Sequence, residues 1–109
     1  MSHFYLLDEN KVPYEVSVEK CYKMMDMDYD MKVVGKDMVG DILVSTVFLG
    51  LDHSHYGQEG PILFETMIFE MGAISGEFDG FQRRYKTYDE AVEGHKEALE
   101  MVNNFVNNN

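Results

Sequence analysis

Two apolar runs in the middle of the chain, Ile42 to Leu51 and Ile62 to Phe69, limit what it can fold into more than any other feature. The first reads Ile-Leu-Val-Ser-Thr-Val-Phe-Leu-Gly-Leu and is rich in β-branched residues. A strand turns successive side chains to opposite faces, so a run apolar at nearly every position is apolar on both. Such strands sit at the centre of a sheet and call for cover on each side, from helices or from another subunit. Asp52 to Gly60, with two glycines and two histidines, separates the runs as a long hairpin loop.

The flanking segments supply the remaining elements. Phe4 to Leu7, a turn at Asp8-Glu9-Asn10-Lys11, and Val12 to Val16 read as a hairpin. Pro13 there belongs on an edge or at a strand start, because proline cannot donate to a ladder. Ser17 is an N-cap candidate for a short helix ending near Met27, with Val18, Cys21, Tyr22 and Met25 as its apolar stripe. Asp26 to Asp30 reads as an acidic loop and Lys32 to Val34 as a brief strand. Gly72 to Gly80 carries three glycines and breaks the chain before another strand, Phe81 to Lys86.

Thr87-Tyr88-Asp89-Glu90 has the spacing of a capping box, in which threonine caps the helix and glutamate reaches back. The helix that follows aligns Tyr88, Ala91, Val92, His95, Ala98, Leu99, Val102, Phe105 and Val106 on one stripe, with Glu93, Lys96, Glu97 and Glu100 on the wet side. Asn107-Asn108-Asn109 is expected to fray. The sum is one α+β domain over residues 1–109, an antiparallel sheet of about four to six strands with two helices, in the order ββα(β)βββα. If both helices take one face, the other face of the central strands stays apolar, which predicts a homodimer or a higher homo-oligomer.

Composition narrows the function classes. Hydrophobic residues make up 45% of the 109, enough for one contiguous core, and 20 acidic against nine basic residues leave a formal charge of −11. That charge disfavours non-specific contact with nucleic acid or anionic lipid, and suits either solubility or presentation of acid to a basic partner. A single cysteine, Cys21, excludes an intrachain disulfide and a cysteine-based zinc site. The opening Met-Ser-His-Phe-Tyr lacks the basic start and apolar run of a signal peptide, and no stretch approaches roughly 20 apolar residues, so a cytoplasmic location is expected.

Several polar residues stand in places that need explaining. Glu65 lies between Leu63 and Met67 inside an apolar strand, where a carboxylate is costly unless it is bonded to a backbone edge or to Arg84, or contacts a ligand. His95 lies on the apolar stripe of the last helix, as a satisfied core residue or as a site member. Asp52-His53-Ser54-His55 has oxygen and imidazole ligands but no supporting ligand run, so a turn closed by Asp52 competes with a metal site and no metal is expected. Arg83, Arg84 and Lys86 crowd three of the nine basic residues into four positions, suited to phosphate or to neutralising nearby acid. Walker, dinucleotide, nucleophile-elbow and thiol motifs are absent, and Gly35 and Gly40 carry no phosphate-loop pattern, so no cofactor is expected.

The strings Val44-Ser45-Thr46-Val47-Phe48-Leu49-Gly50-Leu51-Asp52-His53, Pro61 to Phe69, and Arg84-Tyr85…Thr87…Glu90-Ala91…Gly94-His95 resemble a pattern of small uncharacterised phage and prophage proteins. The resemblance covers about 60 residues in order; the loop Ser54 to Gly60 departs from it, and His55 falls outside the shared pattern. It implies a phage setting, in the cytoplasm of an infected bacterium, and supplies no mechanism. Asp52, His53, Glu65, Arg84 and His95 all fall within the matching strings, and one shared polar cluster would account for all five.

The leading expectation is therefore a phage accessory protein that acts by binding rather than catalysis, against a host factor or an anti-phage defence. It would be either an acidic protein mimic or an oligomeric sponge for a small nucleotide signal. Alternatives are a small hydrolase using Asp52, His53, Glu65 and His95, or a virion assembly component.

Overall fold

The computed structural model describes residues 3–27, 32–52, 61–72 and 76–108, except for the side chains of 25–27. Six strands and two helices follow in the order β1 (Phe4–Leu7), β2 (Pro13–Val16), α1 (Val18–Met27), β3 (Val33–Val39), β4 (Ile42–Phe48), β5 (Phe64–Glu70), β6 (Gln82–Tyr85) and α2 (Tyr88–Asn107). The fold is α+β: β1 and β2 form a two-stranded hairpin, and β3-β4-β5-β6 form an antiparallel four-stranded sheet.

Local chemistry sets the turns. Asp8 Oδ1 accepts from the backbone N–H groups of Asn10 and Val12 at 2.8 and 2.9 Å, which holds the β1–β2 turn and lets Lys11 adopt φ 64°. Gly40 at φ 61° stands first in the two-residue β3–β4 loop, where a positive φ matches the twist of the paired strands. Beyond β4, Tyr5 N–H donates to the Gly50 carbonyl at 2.7 Å and Asp52 N–H to His3 at 3.1 Å, so the N-terminal hairpin is tied to the end of a central strand.

The expected brief strand at Lys32 to Val34 is instead the seven-residue β3. The strand continues through Gly35, Lys36 and Asp37, which pair with Thr46, Ser45 and Val44 beyond a register shift between Val33 and Gly35. Pairing to a strongly strand-forming neighbour overrides the weak local preference.

Helix α2 crosses all four strands on one face. Its capping box is formed, with Thr87 accepting from the Glu90 N–H at 3.1 Å and Glu90 accepting from the Thr87 N–H at 3.2 Å. Ala91, Gly94, His95, Ala98 and Val102 are buried against the sheet, at the spacing of one helical stripe. Small residues there bring the helix close to the strands: a Cβ on Gly94 would overlap the Tyr85 phenol.

Two apolar clusters form the core, and α2 contributes to both. One joins Leu6, Leu7, Cys21, Phe48, Leu63, Phe64, Tyr85 and Ala91, and the other Ile42, Val44, Ile68, Phe78, Ala98 and Val102. Among the described residues, the sheet face away from α2 lacks the full cover that the central runs imply. Leu43, Ser45, Val47 and Met67 there are half-buried, while Met38 and Phe69 are exposed at 56% and 41%. Helix α1 accounts for the missing layer, because it packs beside β1 instead of over the sheet.

Adding a methyl group at Gly94 tests the close approach. Gly94→Ala should lower the melting temperature despite alanine's better helix propensity, with a net loss of about 1–3 kcal/mol from overpacking. Thermal unfolding of the variant measures it.

Candidate functional site: a buried polar ladder

Between the two apolar clusters runs a row of polar side chains. Thr46 and Thr66 face each other on β4 and β5 with no solvent exposure, one row from Phe48 and Phe64 and one row from Val44 and Ile68. Their hydroxyl oxygens lie 2.5 Å apart. Tyr85 OH donates to Thr66 Oγ1 at 3.0 Å, Thr46 Oγ1 lies 2.7 Å from His95 Nδ1, and His95 Nε2 lies 2.7 Å from Asp37 Oδ2. The ladder thus runs Tyr85–Thr66–Thr46–His95–Asp37 across β6, β5, β4, α2 and β3; its first four members are buried, and Asp37 is exposed, its side chain at 53%.

Counting donors sets the direction of the ladder. Each threonine hydroxyl has one hydrogen to give, and Tyr85 gives its own to Thr66. Thr66 then donates to Thr46, Thr46 to His95 Nδ1, and the imidazole Nε2–H to Asp37. The neutral Nε2–H tautomer satisfies every group. A doubly protonated ring would turn Nδ1 into a donor, and one buried hydroxyl hydrogen would be left without an acceptor.

Glycine makes room for the ladder at one end as at the other. A Cβ on Gly35 would stand 2.7–2.9 Å from three atoms of the His95 ring. The bulge beside Gly35 and the bare backbone at Gly94 therefore admit His95 and Tyr85 respectively.

Glu65 belongs to a different network, on the opposite face of the sheet. Its Oε2 accepts from Arg84 Nε at 2.9 Å and from Gln82 Nε2 at 2.7 Å, along the pairing of β5 with β6. The side chain of Glu65 is 11% exposed and that of Arg84 30%, so the pair sits at a half-open rim. Arg83 points to the helix side, where it donates to Glu97 at 3.3 Å.

The five residues expected in one cluster are therefore divided. Glu65 and Arg84 meet each other, and His95 lies across the sheet from them with Asp37 and Thr46. Asp52 sits at the end of the central strand, where its Oδ1 accepts from the Ile62 N–H at 2.9 Å and closes the chain across the loop. His53 and His55 lie outside the described residues. Alternation along β5 causes the division, since Glu65 and Thr66 are neighbours in sequence and must face opposite ways.

The Asp37–His95–Thr46 line has the composition of a nucleophile triad, but its hydroxyl is sealed. Thr46 Oγ1 already engages both His95 and Thr66 under α2, leaving no space for a carbonyl to approach. Two surface clefts, of about 160 and 230 Å³, are lined by residues outside the ladder. Cys21, on the floor of the larger, donates weakly to the Tyr5 carbonyl, and burial pushes its thiol pKa up, away from the reactive thiolate.

Among the described residues no group of three or more His, Cys, Asp or Glu is placed to hold a metal ion, and no helix is long and apolar enough to cross a membrane. None of the family models, curated proteins or solved structures compared with the chain matches it.

Two measurements check the geometry. Because Glu65 and His95 share no partner, the stability losses of Glu65→Ala and His95→Ala should add within about 0.5 kcal/mol, whereas Thr46→Val and His95→Ala should be strongly non-additive. Removing Glu65 should cost about 1–3 kcal/mol, since the freed Arg84 can turn to water. Denaturant titrations of the single and double variants give these values. Nitrogen NMR should find the neutral His95 ring protonated at Nε2 and bare at Nδ1; the reverse tautomer would contradict the ladder's direction.

Proposed function

We propose that this chain acts by binding, without catalysis, and that it presents the acidic outer side of α2 to a basic surface on another protein. The observation that carries the reading is the placement of charge along that helix. Glu90, Glu93, Glu97 and Glu100 are all exposed and recur at intervals of three, four and three residues. At 1.5 Å per residue they form a line about 15 Å long. One strand of duplex DNA carries a phosphate every 3.4 Å or so along its axis, and the acidic line approaches that density to within about a factor of two. Lys96 interrupts the line and Arg83 partly neutralises Glu97. The formal charge of −11 places acid over the rest of the surface as well.

The alternatives draw less support. A hydrolase needs an accessible nucleophile or base, and the ladder's hydroxyls are sealed under the helix. A nucleotide sponge needs free guanidinium groups, and Arg83 and Arg84 each already engage a carboxylate. With the resemblance to phage proteins, the reading becomes an acidic mimic that occupies the nucleic-acid-binding surface of a host or defence protein.

Competition is the test. Purified protein added to complexes of fluorescent duplex with a panel of basic bacterial DNA-binding proteins should release duplex at about 50 mM salt and far less at about 200 mM. The triple change Glu93→Gln, Glu97→Gln, Glu100→Gln should weaken release at least about tenfold while leaving the melting temperature within a few degrees. Duplex retained throughout the panel at low salt, under excess wild-type protein, would overturn the proposal.

A further inference from the structure

The open face of the four-stranded sheet is the part of the described surface whose chemistry departs most from the rest, and its pattern repeats upon itself. Strand register arranges its side chains in rows. Leu43 pairs with Phe69 in one row, Ser45 with Met67 in the next, and Val47 with Glu65 in the third. We infer that this face docks on the same face of a second copy, about a two-fold axis that runs parallel to the strands between β4 and β5.

Three observations select a second copy as the occupant. The first is shape. Rotation about that axis sets β4 of one copy over β5 of the other at the same row, so Leu43 opposes the aromatic ring of Phe69, and the small Ser45 opposes the long Met67. Small against large at the centre is how facing sheets interdigitate.

Charge is the second. Each chain carries −11 overall, so two copies repel over most of their surfaces. Within its strands this face carries two cations, Lys36 and Arg84, and one anion, Glu65. Face-to-face docking sends the acidic sides of the two α2 helices to opposite outer layers, as far apart as the pair allows.

The third is a specific complement. Both hydrogen bonds to Glu65 end on Oε2, and among the described residues Oε1 has no partner. Lys36 is exposed on β3 and makes no ion pair among the described residues. Under the two-fold axis, Lys36 of one copy lies one strand and one row from Glu65 of the other. With sheets about 10 Å apart, their Cα atoms are separated by about 13 Å, a span that lysine and glutamate side chains bridge together. The symmetry makes two such pairs.

Size sets the strength. Four strands about 4.8 Å apart and up to seven residues long project on the order of 300–400 Å², and side-chain relief enlarges this without reaching the roughly 800 Å² per partner of a standard interface. The pair should therefore assemble reversibly, with a dissociation constant on the order of tens of micromolar.

Sedimentation velocity from about 1 to 500 µM should show the 12.6 kDa species giving way to one of twice that mass. Phe69→Asp should abolish the shift, and Lys36→Glu should move its midpoint upward at least about tenfold. Both residues are exposed, so melting temperatures confirm that each variant remains folded. Tyr22→Asp, on the exposed surface of α1, serves as the control and should leave the shift unchanged. A monomer at every concentration overturns the inference. So does a dimer that survives Phe69→Asp and Lys36→Glu, or one that Tyr22→Asp dissolves.

Discussion

The hydrogen bond between Thr46 and His95 joins the helix to the centre of the sheet, and much of the structure is arranged around the need to complete it. Both groups are buried, so each polar atom must find a protein partner or carry a desolvation penalty of a few kcal/mol. Thr66, Tyr85 and Asp37 complete the set, each from a different strand. Because an apolar cluster lies on either side of the ladder, α2 cannot slide along the sheet by a turn without stranding every member. The apolar clusters hold the helix down, and the ladder decides where it is held. A polar network used in this way gives register, at the cost of a core that a purely apolar packing would fill more simply.

Much of this architecture was legible in the chain. The doubly apolar runs marked β4 and β5, the Thr87–Glu90 spacing marked the start of α2, and the 3.6-residue stripe marked its buried side. His95 and Glu65 stood out because each breaks an apolar pattern. Their partners were hidden for physical reasons. Threonine is at home in any strand, so Thr46 and Thr66 carried no signal, and Asp37 sat in a stretch whose glycine masked a strand. The single cluster of five failed on a point of parity. Residues an odd number apart on one strand take opposite faces, and the pair Glu65 and Thr66 alone separates the carboxylate from the ladder.

Two of the glycines acquire a purpose only in three dimensions. Gly94 is an unfavourable residue in the interior of a helix, and Gly35 weakens a strand. Each stands where a large polar ring would otherwise meet a methyl group, Tyr85 at one end of the ladder and His95 next to the other. No local reading of propensity could distinguish them from ordinary breaks, because the reason for each lies on a distant segment of the chain.

The bulge at the start of β3 has a bearing on how copies of the chain can meet. A sheet has two kinds of surface at which another chain can add, its faces and its edges. Face-to-face addition consumes the available face and stops at two, whereas edge-to-edge addition regenerates a free edge at every step and leads to a ribbon without end. β3 is an edge strand of this sheet, and the bulge between Val33 and Gly35 interrupts its regular pairing, while Lys36 and Asp37 place charge beside the break. An incoming strand would find no straight ladder to extend. The same irregularity that lets a histidine reach the core thus guards a molecule with an apolar face against open-ended polymerisation.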